Sequence, residues 1–126
     1  MAAVRNRDTR PEIAVRRLVH RMGYRYRLHS RGLTGKPDIV FPGRRKVVFV
    51  HGCFWHLHEG CPNYREPKSR ISFWLPKLRG NRERDLRVQR ELSSAGWEVL
   101  VVWECEMADP SALEGRLRTF LGAGKP

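Results

Sequence analysis

The chain has 126 residues, 40% of them hydrophobic, which fits one domain (residues 1–126) built round one core. Its 25 Lys and Arg against 13 Asp and Glu leave a net charge of +12, a balance that draws in a long polyanion, of which nucleic acid is the usual one. Export and membrane insertion are not expected. The amino end MAAVRNRDTR has no apolar stretch behind its basic residues, no window approaches the ~20 apolar residues of a span, and a cytoplasmic, thiol-reducing setting follows.

The first element expected is a helix over TRPEIAVRRLVHRMG, with Thr9 as its cap, Ala14, Leu18, Val19 and Met22 on one face, and Gly23 at its left-handed stop. YRYRLH alternates as a half-covered strand does, with Tyr24, Tyr26 and Leu28 on one side and Arg25, Arg27 and His29 on the wet one. After the loop SRGLTGK, the segments DIVF and KVVFV, joined by PGRR, predict a β-hairpin. A turn centred near Gly43 and Arg44 sets Asp38 opposite Phe49 or Val50. The stretch HGCFWHLHEGCPNYREPKSR, rich in Gly, Pro and His, is a loop. A helical region follows from about Ile71 to Ala95; Pro76 and the Gly80-Asn81 pair are expected to divide it in two, and Gly96 to close it. WEVLVVWE has the unbroken apolar centre of a strand covered on both faces. Asp109-Pro110 then caps a last helix with Leu113, Leu117 and Phe120 facing inward. The order helix, three strands, helix, strand, helix predicts an α/β fold: a mixed sheet flanked by helices, with a parallel pairing permitted across the last crossover.

Cys53, His56, His58 and Cys61 fall within one short loop, and Cys105 ends the last strand. An odd number of cysteines cannot all pair as disulfides, whereas three thiolates and one imidazole make the Cys₃His tetrahedron of a closed structural zinc site. Zinc contributes roughly 10–16 kcal/mol in small peptides, enough to fix a loop so poor in apolar anchors. Spacing leaves His56 and His58 equally eligible as the fourth ligand. Such a closed site keeps no open position for water, so the zinc is scaffold and the chemistry needs another metal.

Asp38 follows Pro37 at the start of a hairpin strand, across from the end of KVVFV. A hard oxygen ligand there suits Mg²⁺, which takes one or two protein carboxylates together with phosphate and water. His51 and His56 lie just beyond the facing strand end. There an imidazole is expected to activate water for attack on phosphorus, and a protonated imidazole to offset charge on the phosphoryl oxygens. Glu12 completes Thr9-x-x-Glu12, a capping box, whose plainest reading is structural.

With HGCFWHLHEGC, GKPDIVF and GWEVLVVWEC in view, the chain resembles the very-short-patch-repair (Vsr) DNA mismatch endonucleases from about Asn6 to Cys105; RDTRPE, YRYRLH, ISFWLPK and NRERD stand in the same order. The resemblance implies a restriction-endonuclease-like fold and a magnesium-dependent nick in double-stranded DNA beside the thymine of a T:G mismatch. It implies Asp38 as the magnesium carboxylate, the main-chain carbonyl of Val50 as a second ligand, and His51 and His56 as the phosphate-contacting and water-activating imidazoles. Glu12 matches a helical glutamate near the active site. Cys53, His58, Cys61 and Cys105 match the zinc ligands. Phe54, Trp55 and Trp74 match aromatics wedged between base pairs at the mismatch, where unstacking costs about a few kcal/mol and less at a faulty pair. A monomer acting on nucleoid DNA, alongside repair proteins, completes the expectation.

Three departures stand out. Val50 occupies a position where the best-known member has threonine, two residues separate His58 from Cys61 where the family pattern has one, and the arm before Asn6 is short. Two other functions compete: a Vsr-like nuclease with another DNA target, in restriction or defence, and a zinc-stabilised DNA-binding module without catalysis. Asp38, His51 and His56 together weigh against the second, since binding alone requires none of them.

Overall fold

The computed structural model describes residues 9–28, 32–53, 56, 58, 61 and 70–122. Helix α1 (Arg10–Arg21) starts where Thr9 Oγ1 accepts the Glu12 amide at 3.3 Å, with Pro11 in the first turn, where its missing N–H costs nothing. It ends at Met22, and Gly23 (φ +92°) takes the left-handed exit. The buried stripe is Glu12, Val15, Leu18 and Val19. Ala14 is exposed, because the face that meets the sheet runs through Val15, three and four residues before Leu18 and Val19.

Four strands lie in the order β1 (Arg27–Leu28), β2 (Ile39–Phe41), β3 (Lys46–His51) and β4 (Glu98–Trp103). The first three pair antiparallel, and β3 pairs parallel with β4 across helix α2 (Ile71–Ser94). A 3-10 turn over Pro42–Arg44, closed by left-handed Arg45, forms the hairpin end and sets Ile39 opposite Val48. Asp38, one step back, therefore faces Phe49, as the hairpin reading requires.

The tyrosine segment departs from the alternating strand. Only Arg27 and Leu28 pair, both exposed, because β2 is three residues long and Pro42 ends it. With no ladder to join, Tyr24 turns inward: its hydroxyl donates to the Gly122 carbonyl and its ring meets Phe41 edge-on at 6.3 Å. His29 lies outside the described residues.

A second departure is α2, one continuous helix where the sequence predicts two pieces. Pro76 is its sixth residue and forfeits a single bond to the Ser72 carbonyl, in a turn where Ile71, Ser72 and Phe73 are exposed. Leu78 on one side of Gly80-Asn81 and Val88 and Leu92 on the other are all buried, which holds both halves in line. Helix α3 (Pro110–Leu121) is capped by Asp109, whose Oδ1 accepts the Ala112 amide at 3.2 Å. Leu113, Leu117 and Leu121 face inward; Phe120, expected there, is only half-buried at the flank.

The sheet separates two cores. On one face Val15, Leu18, Leu113, Leu117 and Leu121 from α1 and α3 cover Ile39, Phe41, Val48 and Val102. On the other, Val88 and Leu92 of α2 cover Val40, Val47 and Phe49, with Val99 and Val101 partly covered. The alternation of β4 between these cores explains its unbroken apolar run. Each buried aliphatic contributes roughly 1.5–3 kcal/mol. Among the described residues, no helix is long and apolar enough to cross a membrane.

The turn that leads into Asp38 is packed on α2 through Gly35, which has φ +77° and would set a Cβ 2.2 Å from Val88 Cγ1. Gly35→Ala is expected to cost about 2 kcal/mol or more, from backbone strain plus overpacking, seen as a lower Tm. An unchanged Tm would mean that this turn does not rest on α2.

Candidate active site and metal centre

Asp38 stands at the leading end of β2, where its Oδ2 accepts the Val50 amide of β3 at 2.7 Å. Glu12 approaches from α1, 2% exposed and ion-paired to Arg16. Burial pushes the Asp38 carboxyl up to about 7; the Val50 amide opposes the shift, and the neighbouring Glu12 carboxyl adds to it. Two acids held together in a poorly solvated place compete for one charge. A divalent cation would relieve that competition as a proton does, and hard oxygens are the donors magnesium takes. The Asp38 carboxylate, with Glu12 beside it, therefore offers donors that fit such an ion.

Successive residues of β3 point to opposite faces, so Val50 turns to the α1 side and His51 to the α2 side. His51 is 5% exposed and stacks on His56 at 3.9 Å between ring centroids. The His56 Nδ1–H donates to Asp85 Oδ2 at 2.5 Å, and the same oxygen lies 3.9 Å from His51 Nδ1. A carboxylate oxygen only accepts, which leaves the second ring nitrogen of a neutral His56 free to take a proton. The ligand atoms of His51, His56 and Asp85 lie within 4.8 Å of one another, but the direct His56–Asp85 bond occupies the facing atoms, as in a base with its orienting acid.

Burial, then the neighbouring His56, lower the His51 pKa to about 4, against the pull of Asp85. In the chain free of metal and DNA, His51 is accordingly neutral near pH 7.

Asp85 is the residue that sequence reading missed, although a signal existed. It falls on the inward stripe of α2, three residues before Val88 and seven before Leu92, where an apolar side chain is the rule. Asp85→Asn should keep the fold but unfix the His56 tautomer, with a rate loss of about 10²–10⁴, as in other acid–imidazole pairs. Single-turnover nicking measures it. A rate within threefold of the parent would remove Asp85 from the centre.

Cys53, His58, Cys61 and Cys105 form the second cluster, their ligand atoms also within 4.8 Å of one another. A tetrahedron with ~2.3 Å zinc–sulfur bonds has edges near ~3.8 Å, so the donors suit one ion in both type and spacing. His56 groups with His51 and Asp85 instead, and His58 is the imidazole that lies among the thiols. Burial, then hydrogen bonding with the other thiols, pushes Cys53 up to about 12, and burial raises Cys105 as well. A cation placed among these thiols would take them as thiolates, so its binding would release protons. The turn at Cys105 is fixed by Glu106, whose Oε1 accepts the Trp103 amide at 2.9 Å and pairs with Arg116. Trp103 joins the clusters: it stacks on His58 at 4.0 Å and meets His51 edge-on at 5.2 Å.

Trp74 is half-buried in the exposed first turns of α2, edge-on to Phe73 at 5.1 Å. Phe54 and Trp55 lie outside the described residues.

The sequence profile of the family described as "DNA mismatch endonuclease Vsr" matches residues 1–62. The chain is 57% identical over 121 residues to "Type II nicking enzyme V.XorIIP" of Xanthomonas oryzae pv. oryzae, covering 96% of this chain and 88% of that protein. It is 42% identical over 121 residues to "Type II nicking enzyme V.NmeAIP" of Neisseria meningitidis, covering 96% and 86%. With "DNA mismatch endonuclease Vsr" of Escherichia coli it shares 42% identity over 116 residues, 92% of this chain and 70% of that protein. Three helices round a four-stranded mixed sheet, in one small restriction-endonuclease-like domain, agree with these matches. The chain belongs to the Vsr family of DNA mismatch endonucleases.

Proposed function

We propose that the protein nicks one strand of double-stranded DNA beside the thymine of a T:G mismatch, with magnesium, and that zinc holds the adjoining loop. One observation carries the reading: an imidazole–imidazole–carboxylate cluster, His51, His56 and Asp85, lies at the same end of β3 as the Asp38–Val50 contact. Binding DNA needs neither. Magnesium held by Asp38 and the Val50 carbonyl would supply Lewis-acid charge to the phosphoryl oxygens. Because a carbonyl ligand comes from the backbone, valine serves as well as threonine there.

The residues divide the remaining work. His56, its Nδ1–H tied to Asp85, takes the proton of the attacking water at its other nitrogen. His51, neutral and sealed behind Trp103, donates to a phosphate oxygen. Glu12 tunes Asp38 from behind. Phe54, Trp55 and Trp74 are the wedges at the mismatch, and the +12 charge gathers the duplex. We place the protein in the cytoplasm as a monomer on nucleoid DNA, with repair proteins as partners.

One competing reading is a Vsr-like nuclease with another DNA target, in restriction or defence; the relatives named type II nicking enzymes carry no mismatch in their names. Duplexes carrying T:G, matched T:A and other mismatches, each with Mg²⁺ and with EDTA, separate the readings. Nicking confined to T:G with Mg²⁺ is expected. Cutting of matched DNA would replace the target, and tight binding without cutting would end the enzymatic reading.

A further inference from the structure

We propose that Arg82 and Gln89 form backbone subsites on either side of the catalytic centre, each gripping one of the two phosphates that flank the scissile one on the strand being cut. This rests on the endonuclease reading of the cleft given above. Helix α2 delivers Asp85 to the imidazoles; Arg82 stands three residues before it and Gln89 four after, spacings that place all three along one side of a helix. Both line the same cleft, of about 390 Å³, as His51, His56 and Trp103. Leu86 forms its outer wall and is 45% exposed, an apolar surface suited to a sugar.

The scale is that of a nucleotide strand. At 1.5 Å per residue, Arg82 lies roughly 4.5 Å from Asp85 along the helix axis and Gln89 roughly 6 Å the other way, against ~3.4 Å of rise per nucleotide. A strand whose scissile phosphate meets the imidazoles therefore passes one of its neighbours close to each. The chemistry also fits: a guanidinium presents a fork of N–H donors that matches phosphate oxygens, and a carboxamide adds two uncharged donors. Arg82 falls within NRERD, where the resemblance assigns it no role, and Gln89 lies outside the quoted motifs.

The two side chains differ in charge, which makes the assignment testable. Binding of a T:G duplex to the zinc-loaded full chain is measured by anisotropy across a salt series without Mg²⁺. Losing one phosphate contact from a cation should lower the log–log salt slope by about 0.9. Arg82→Ala is expected to do so and to weaken binding about 5- to 30-fold; Arg82→Lys should recover the slope and part of the affinity. Gln89→Ala should weaken binding about 2- to 10-fold with the slope unchanged. A neutral methylphosphonate at the flanking position on the Arg82 side should weaken the parent protein and leave Arg82→Ala unaffected. Equal slopes for Arg82→Ala and parent, or a methylphosphonate that weakens both alike, would overturn the subsites. Thermal melts check each fold; should Arg82→Ala fail to fold, Arg82→Gln carries the same comparison. If the parent nicked no duplex, the endonuclease reading would fall while the salt slopes still judged the subsites.

Discussion

Asp38→Asn should abolish nicking and yet make the metal-free protein more stable than the parent near neutral pH. Both effects come from one environment. Burial and Glu12 push the Asp38 carboxyl up to about 7 from an ordinary 3.8, so the folded chain holds this proton more tightly than the unfolded chain does. The stability it confers is complete below about pH 4 and is lost progressively as pH rises to about 7. Each unit corresponds to about 1.4 kcal/mol, so the loss is on the order of a few kcal/mol. Asparagine keeps the shape and the bond from the Val50 amide but has no proton to lose. Melting curves between pH 4 and 8 should therefore show the variant gaining on the parent as pH rises, and divalent cation closing the gap for the parent alone. Activity moves the other way. Removing the carboxylate that holds the ion should cost about 10³-fold or more in single-turnover rate, with DNA affinity within about threefold of the parent. Activity within tenfold of the parent would remove Asp38 from the centre, and parallel pH–stability curves would contradict the carboxyl pair.

Removal of the thiolate-bound ion should have the larger structural effect. The segment 52–61 contributes only Cys53 to the buried cores among its described residues, so its shape depends on the bond set formed by Cys53, His58, Cys61 and Cys105. A structural zinc ion is worth roughly 10 kcal/mol or more in small peptides; a domain of this size shifts its Tm by about 3–5 °C per kcal/mol. Cys105→Ser, which replaces a soft ligand with a poor one, should lose the zinc and lower Tm by more than about 15 °C. Because the raised thiols must shed protons to bind, zinc uptake should release protons and weaken as pH falls. Activity is lost indirectly: Trp103 connects His58 to His51, and a displaced loop carries His56 off Asp85. Metal analysis should find one zinc per parent chain and none in the variant. A metal-free Cys105→Ser protein that melts with the parent would contradict the structural role.

The parts of the molecule legible in sequence are those fixed by local chemistry. Thr9, Gly23, Pro42–Arg44 and Asp109 mark element ends because caps and turns depend on a few neighbouring residues. The hairpin register followed from its turn and placed Asp38 opposite Phe49. Three cysteines beside two histidines pointed to a cluster of metal-ligand type before any distance was known. What escaped depends on distant packing. Pro76 and Gly80 read as breaks, yet burial of Leu78, and of Val88 and Leu92 against the sheet, outweighs one lost bond. Tyr24 read as a strand residue, yet Phe41 and Gly122, far along the chain, draw it into the core. Asp85 sits 29 positions after the imidazole it orients, and only the fold reveals the pair.

The division of labour between the carboxylate and imidazole sides of β3 is tested most directly by a magnesium titration of the single-turnover nicking rate on a T:G duplex, for the parent, Asp38→Asn and Asp85→Asn. Asp85→Asn should keep the parent's half-saturating magnesium concentration with a plateau about 10²–10⁴ lower, since it disables proton transfer without touching the ion. Asp38→Asn should show no saturable response at all. A parent rate indifferent to magnesium, or an Asp38→Asn protein that saturates with the parent's magnesium dependence, would contradict a metal site built on Asp38.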